Sequence, residues 1–232
     1  MDTDLKFETF RRQFCLSMED LCREVFLGNR ETIKIKKEGV AVKNLVKILD
    51  AALTLSNAKG FAAMSLRDLS REAGLSMGAL YTYFSSKEEL LHMIQRQSAM
   101  VIQVLIDQLR DIDDPRARLR RAIQAHLFLS EILHQWFYFA YMETKNLAKE
   151  DHKRAIESEL FTEKIITDIM AEGRKAGVFQ EVDTGLLGAV VKAMLQDWYL
   201  KRWKYARRKV TVEKYAEFVV EFVEAYLLAP QS

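Results

Sequence analysis

Two pairs of side chains, Glu89/His92 and Glu131/His134, repeat the spacing E-x-x-H. On a helix this spacing puts a carboxylate and an imidazole on one face, the arrangement with which di-iron carboxylate bundles hold their metals. A helical metal enzyme is therefore one reading to test. Against it, Glu89 also suits a helix cap, and no further pair of glutamates stands at suitable helical positions. The sequence holds no Ser-His-Asp or Cys-His arrangement, phosphate-binding loop or C-x-x-C site. The expectation is a chain with no catalytic residue, no metal and no cofactor.

A second constellation asks for different chemistry. Residues 74 to 91, GLSMGALYTYFSSKEELL, put two tyrosines and a glycine beside serines and a lysine. Two short helices joined by A-G-L-S form a helix-turn-helix: Gly74 permits the turn, Leu75 fills a small core and Ser76 caps the second helix. That helix then presents Met77, Gly78, Tyr81 and Thr82 on one side, with Leu80 and Phe84 on the packing side. A bare Gly78 lets backbone approach a phosphate or a base edge. Tyr81 and Tyr83 offer hydroxyls to phosphate oxygens, and Lys87 adds charge at the start of the next helix.

These residues carry a family resemblance. The stretch SLRDLSREAGLSMGALYTYFSSKEELL resembles the DNA-binding signature of the TetR family of bacterial transcription regulators, matched over about 50 residues. The resemblance implies an all-α fold: an N-terminal three-helix helix-turn-helix domain followed by a larger helical bundle that binds a small effector and dimerises. It implies DNA contacts from Ser65, Arg67, Tyr81, Tyr83 and Lys87. Met77 departs from the pattern, standing where a lysine or glutamine often touches DNA. The turn GRKAGVFQEVD at 173 to 183 is similar to one that precedes the last two helices of many members. The roughly 40 residues before the first family helix are longer than the pattern.

The elements needed to position these groups follow from composition and spacing. Two prolines and nine glycines in 232 residues leave little to interrupt helices. Between Phe7 and Val25, apolar residues recur at three and four, predicting one amphipathic helix. Further helices are expected at about 42–58, 65–73, 77–84, 86–110, 116–129, 131–146, 150–176, 183–205 and 211–228. Ser65/Asp68 and Ser86/Glu89 suggest capping boxes. The resulting division is an N-terminal extension (1–38), a helix-turn-helix domain (39–87) and an effector and dimerisation domain (88–232).

The net charge of +2 is uneven: residues 30 to 100 hold eleven Lys/Arg against seven Asp/Glu. That stretch is where an anion should be met. Lys34, Lys36 and Lys37 lie in a segment readable as a short strand, a solvated tether or a basic arm that follows phosphates. Acids at the N-terminus and the absence of an apolar run of about 18 residues argue against a leader or a membrane span, and a cytoplasmic protein is expected. Cys15 and Cys22 stand too far apart on a helix for a disulfide and read as reduced thiols.

In the larger domain, WFYFAY at 136 to 141 surrounds a helix with aromatics. Trp136, Phe139 and Tyr141, with Phe128, Met142, Met194 and Trp198, are either core or the lining of a cavity for a hydrophobic effector. Leu187, Val191, Tyr215, Phe218, Phe222 and Tyr226 give the last two helices more apolar surface than one bundle uses, which predicts a homodimer. The cluster KRWKYARRK at 201 to 209 is a solvated loop or a site for an anionic ligand such as the phosphates of an acyl-CoA. Taken together, the residues predict a dimeric repressor that binds a palindromic DNA operator and is released by a small hydrophobic effector, with a fatty acid or acyl-CoA as the candidate.

Overall fold

The computed structural model describes residues 5–13, 17–96, 98–147 and 149–228. Among them the regular structure is helical: α1 (Phe7–Gln13), α2 (Met18–Gly28), α3 (Glu38–Lys59), α4 (Leu66–Ala73), α5 (Met77–Leu80), α6 (Lys87–Gln95), α7 (Ser98–Asp107), α8 (Pro115–Ile132), α9 (His134–Glu143), α10 (Lys149–Lys175), α11 (Thr184–Leu200), α12 (Arg202–Arg207) and α13 (Val212–Leu227). None is long and apolar enough to cross a membrane.

Local chemistry sets most of the helix starts. Ser17, Ser65, Ser76, Asp114, Asp183 and Thr211 each accept a backbone N–H three residues on, satisfying a donor that the first turn leaves open. At α6 the cap is shared. Ser86 Oγ accepts from Glu89 N, while the Glu89 carboxylate reaches back to Ser85 N and Oγ rather than to Ser86.

The chain forms two compact units. The first gathers Met1–Phe14, Ile102–His134 and Ile156–Ser232; the second gathers Cys15–Val101 and Gln135–Ala155. These bounds do not follow the division at 38 and 87 expected from the sequence.

In the first unit α8 is the central element. Its residues from Ala122 to Ser130 are buried on every side, because α1, α11 and α13 all pack against it. Phe7 and Phe10 of α1 meet the Phe128 ring edge-on, with centroids 5.4 and 5.6 Å apart. Glu224 of α13 is buried and accepts from both Arg116 and Arg120 of α8. Trp198, Tyr205 and Tyr215 form an aromatic group, with Trp198 and Tyr215 stacked at 5.2 Å.

In the second unit α2 lies on α3 through Leu21, Cys22, Val25 and Phe26, all buried. The long amphipathic helix expected between Phe7 and Val25 is thus two helices in two units. Ser17, with its capping box to Asp20, starts a new helix instead of continuing the old one. Cys22 is a buried free thiol, pushed up to about 12 by burial, and Cys15 lies outside the described residues. Helix α9 completes this unit's core: Trp136 Nε1 donates to Ile94 O, Phe139 meets Phe61 edge-on at 5.9 Å, and buried Glu143 accepts from Phe61 N.

Candidate nucleic-acid interface

Helices α4 and α5 are joined by a turn in which Gly74 takes a left-handed conformation, φ 62°, where a side chain would be strained. The turn is closed by Ser70, whose hydroxyl donates to Leu75 O at 2.5 Å. Only Met77–Leu80 is regular helix. Beyond it Thr82 N and Tyr83 N donate three residues back, to Ala79 O and Leu80 O, and the Thr82 hydroxyl also donates to Ala79 O. The expected helix to residue 84 therefore tightens into a turn.

The two tyrosines part company here. Tyr81 is 44% exposed, whereas Tyr83 is 1% exposed and accepts a hydrogen bond from Asn44 Nδ2 of α3 at 2.9 Å. Burial pushes the Tyr83 phenol up, against the effect of that bond. Tyr83 thus ties α5 to α3 rather than offering its hydroxyl to phosphate. Two residues of turn rotate successive side chains far apart, so only one of the pair can face solvent. Gly78 is exposed, and a Cβ there would meet only Ser76 Oγ at 4.0 Å, an ordinary contact, while Met77 beside it is half-buried.

Lys87 also turns inward. Its ammonium donates to Phe61 O, Ala62 O and Met64 O at 2.9 to 3.0 Å and sits over the Phe61 ring. It closes the turn between α3 and α4 with these three bonds, a structural role beside the phosphate contact expected of it. Ser65 is engaged in the α4 capping box with Asp68. Hydrogen bonds from Lys59 and then Ser65 hold the Asp68 carboxyl well below the usual range. Arg67 is exposed, with no carboxylate partner among the described residues.

The segment before α3 is neither strand nor loose arm. Ile33 is fully buried, Lys34 N donates to Thr82 O at 2.8 Å, and Lys36 Nζ donates to Arg30 O and Ile33 O. The Lys34 and Lys37 side chains remain exposed, as do Lys43 and Lys47 one and two turns into α3. The i, i+4 spacing of Lys43 and Lys47 puts both on one face of α3.

The seven residues proposed to line an effector cavity are divided. Phe128, Met194 and Trp198 belong to the first unit; Trp136, Phe139, Tyr141 and Met142 belong to the second. Phe128, Trp136, Phe139 and Trp198 are core, while Tyr141 and Met142 are exposed. The E-x-x-H pairs are divided too, and each group is engaged. His92 Nδ1 lies 3.1 Å from Asp151, Glu131 accepts from Trp198 Nε1 and Arg202, and His134 Nε2 lies 3.2 Å from Tyr199 O. Among the described residues no group of three metal-ligating side chains gathers.

Of the six proposed interface residues, Leu187, Val191 and Tyr215 are buried within the first unit. Phe218, Phe222 and Tyr226 are exposed, at 59% for Phe218. Leu186 (66% exposed) was missed, although it stands at helical spacing from Val190, which adds exposed apolar surface to the same face of α11. In the basic cluster Lys201 and Lys204 pair with Asp197, and Arg202 with Glu131. Although burial opposes it, hydrogen bonds from Lys201, Lys204 and Tyr205 hold the Asp197 carboxyl down to about 2. Arg207, Arg208 and Lys209 have no carboxylate among the described residues, and Trp203 beside them is exposed.

Comparison with known proteins agrees with this layout. Residues 48–94 match the family model described as bacterial regulatory proteins, tetR family, and residues 112–227 match the tetracyclin repressor-like C-terminal domain. The HTH-type transcriptional repressor KstR2 of Rhodococcus jostii is 27% identical over 193 residues, covering 80% of this chain and 92% of that protein. The TetR family transcriptional regulator PfmR from Thermus thermophilus is 30% identical with a TM-score of 0.67, covering 78% of this chain and 99% of its own. FadR from Bacillus subtilis, solved in complex with stearoyl-CoA, shares the fold at 20% identity and a TM-score of 0.61, over 76% of this chain and 96% of that one. With a helix-turn-helix at 66–80 and both family models matched in order, the chain belongs to the TetR family of bacterial transcription regulators.

Proposed function

We propose that this regulator acts as a homodimeric repressor on a palindromic operator and is released by a small hydrophobic acyl effector bound in its first unit. It is a DNA-binding protein and not an enzyme. The observation that carries the DNA reading is the solvent side of α5, where a bare Gly78 and an open Tyr81 lie in one helical turn, with Arg67 exposed on α4. Ser76, Met77 and Thr82 border that surface, and Lys34, Lys37, Lys43 and Lys47 supply exposed positive charge in the same unit. The exposed apolar faces of α11 and α13 support a dimer, because two reading heads must stand about 34 Å apart, or a multiple of it, to enter successive major grooves. KstR2 is named a repressor and the Bacillus neighbour was solved with stearoyl-CoA, which supports repression and an acyl effector. Release follows if the effector favours a dimer whose reading heads no longer match the operator spacing.

Selection from a pool of random duplexes at near-physiological salt tests this directly. An enriched palindrome is expected, and weak, salt-sensitive binding without enrichment would refute it. On the selected duplex the two tyrosines should separate. Tyr81→Phe should weaken binding by about 3- to 10-fold, the worth of one phosphate hydrogen bond, with unchanged stability. Tyr83→Phe should cost about 1 kcal/mol of folding free energy through the lost Asn44 bond and leave DNA affinity unaltered. Fluorescence anisotropy and urea denaturation report the two effects separately.

A further inference from the structure

The interior of the first unit holds a charge that packing alone does not require. On α8 and α11, whose buried faces are otherwise apolar, four buried positions are polar or charged: Gln124, His126, Ser130 and Lys192. Ser130 is satisfied by donating to Leu127 O. Lys192 is different. Its side chain is 6% exposed, and its ammonium donates to Thr162 Oγ1 at 2.6 Å and lies 3.5 Å from Glu159 Oε2. No acceptor among the described residues takes its third N–H. A methionine would fill the same volume without desolvating an ammonium, so a lysine here is unfavourable for folding alone.

The charges around Lys192 restrict what could use that spare donor. Desolvation pulls the ammonium toward its neutral form, while Glu159 and Glu163 support the charged form. Thr162 is already committed, donating to Glu159 O, and Gln196 donates to the Glu159 carboxylate. His126 is buried, and burial first and then the Lys192 charge lower its pKa well below the usual imidazole value. One cation is thus matched by two carboxylates. An entering carboxylate would bring a third negative charge into that neighbourhood with no new cation to meet it. A neutral carbonyl oxygen could accept the spare N–H without changing the charge balance.

We propose that Lys192, in the core of the first unit, is the polar anchor of the effector site and takes the carbonyl oxygen of a neutral acyl derivative, a thioester or ester, in preference to a free carboxylate. This rests on the reading of the first unit as the binder of an acyl effector. The apolar surroundings of α8 and α11 would hold the chain of such a ligand, and the ammonium would fix its carbonyl end.

The test is isothermal titration with straight-chain acyl N-acetylcysteamine thioesters of graded length, against the sodium salts of the same acids. These thioesters carry the carbonyl but no nucleotide, so attraction of phosphates to Arg207, Arg208 and Lys209 cannot mimic the result. Thioesters are expected to bind at least about 10-fold tighter than acids, the size of one hydrogen bond to a charged donor. Lys192→Met should lose about that factor for thioesters while melting no lower than the parent. Glu159→Gln, at a position 41% exposed, removes one negative charge and should let the acids gain on the thioesters, which keeps the test decisive if the lysine variant fails to fold. Acids binding as tightly as thioesters, unchanged thioester affinity in Lys192→Met, or unchanged discrimination in Glu159→Gln would each overturn the anchor and leave the acyl effector standing. Binding of neither ligand class to the parent protein would overturn the acyl reading itself, and the anchor with it.

Discussion

Replacing Phe218 and Phe222 together by aspartate is expected to yield a folded monomer that binds the operator at least about 100-fold more weakly. Both rings are exposed, stacked on each other with centroids 6.3 Å apart, on the same side of α13 as Tyr226. Leu186 and Val190 add an exposed apolar stripe on α11. Because neither ring is part of the core, aspartate should change the stability of the isolated fold by no more than about 0.5 kcal/mol. In a dimer the same changes would bury four unpaired carboxylates, which no association free energy of ordinary size absorbs. Loss of the dimer separates the two half-sites, and each reading head must then bind alone. Light scattering gives the mass and anisotropy the affinity. A double variant that still weighs as a dimer would show that the subunits meet elsewhere. Leu187→Ala or Val191→Ala should act differently, lowering stability through core cavities.

Phe128→Ala is expected to cost about 3–5 kcal/mol of folding free energy, the range for emptying a buried aromatic position. Its ring is 1% exposed, in the C-terminal half of α8, and Phe7 and Phe10 rest on it. The cost should therefore be shared with release of α1, and cleavage by trypsin after the exposed Arg11 and Arg12 should become faster in step. Removing residues 1–13 from the variant should cost less than removing them from the parent, since the contact is already lost. Denaturant titrations of the four proteins give the coupling. Additive losses would mean that α1 and Phe128 do not act as one packing unit.

The contrast between these variants shows what was legible. Features with a reach of three or four residues could be read directly. Ser65, Ser76, Asp183 and Thr211 start helices because a short polar side chain reaches its own third N–H, and Gly74 turns because it lacks a Cβ. The helix-turn-helix is built from such local rules, so its residues and its class were evident without coordinates. The regular three- and four-residue spacing of apolar side chains likewise determined that the fold is built from helices.

Which helix face is buried, and against what, was not decided locally. The stripe from Phe7 to Val25 is continuous in sequence, yet α1 finds its partner in α8 and α2 in α3. Leu187 and Val191 are core while Leu186 and Val190 are exposed, although one residue's rotation on the same helix separates them. Tyr83 and Lys87 read as phosphate ligands until Asn44 and the carbonyls of Phe61, Ala62 and Met64 are placed beside them. Lys192, a cation on an otherwise apolar helix, is desolvated in the fold. Helical period specifies which side chains share a face; only the partners that distant segments supply decide whether that face meets water, another helix, DNA or a ligand.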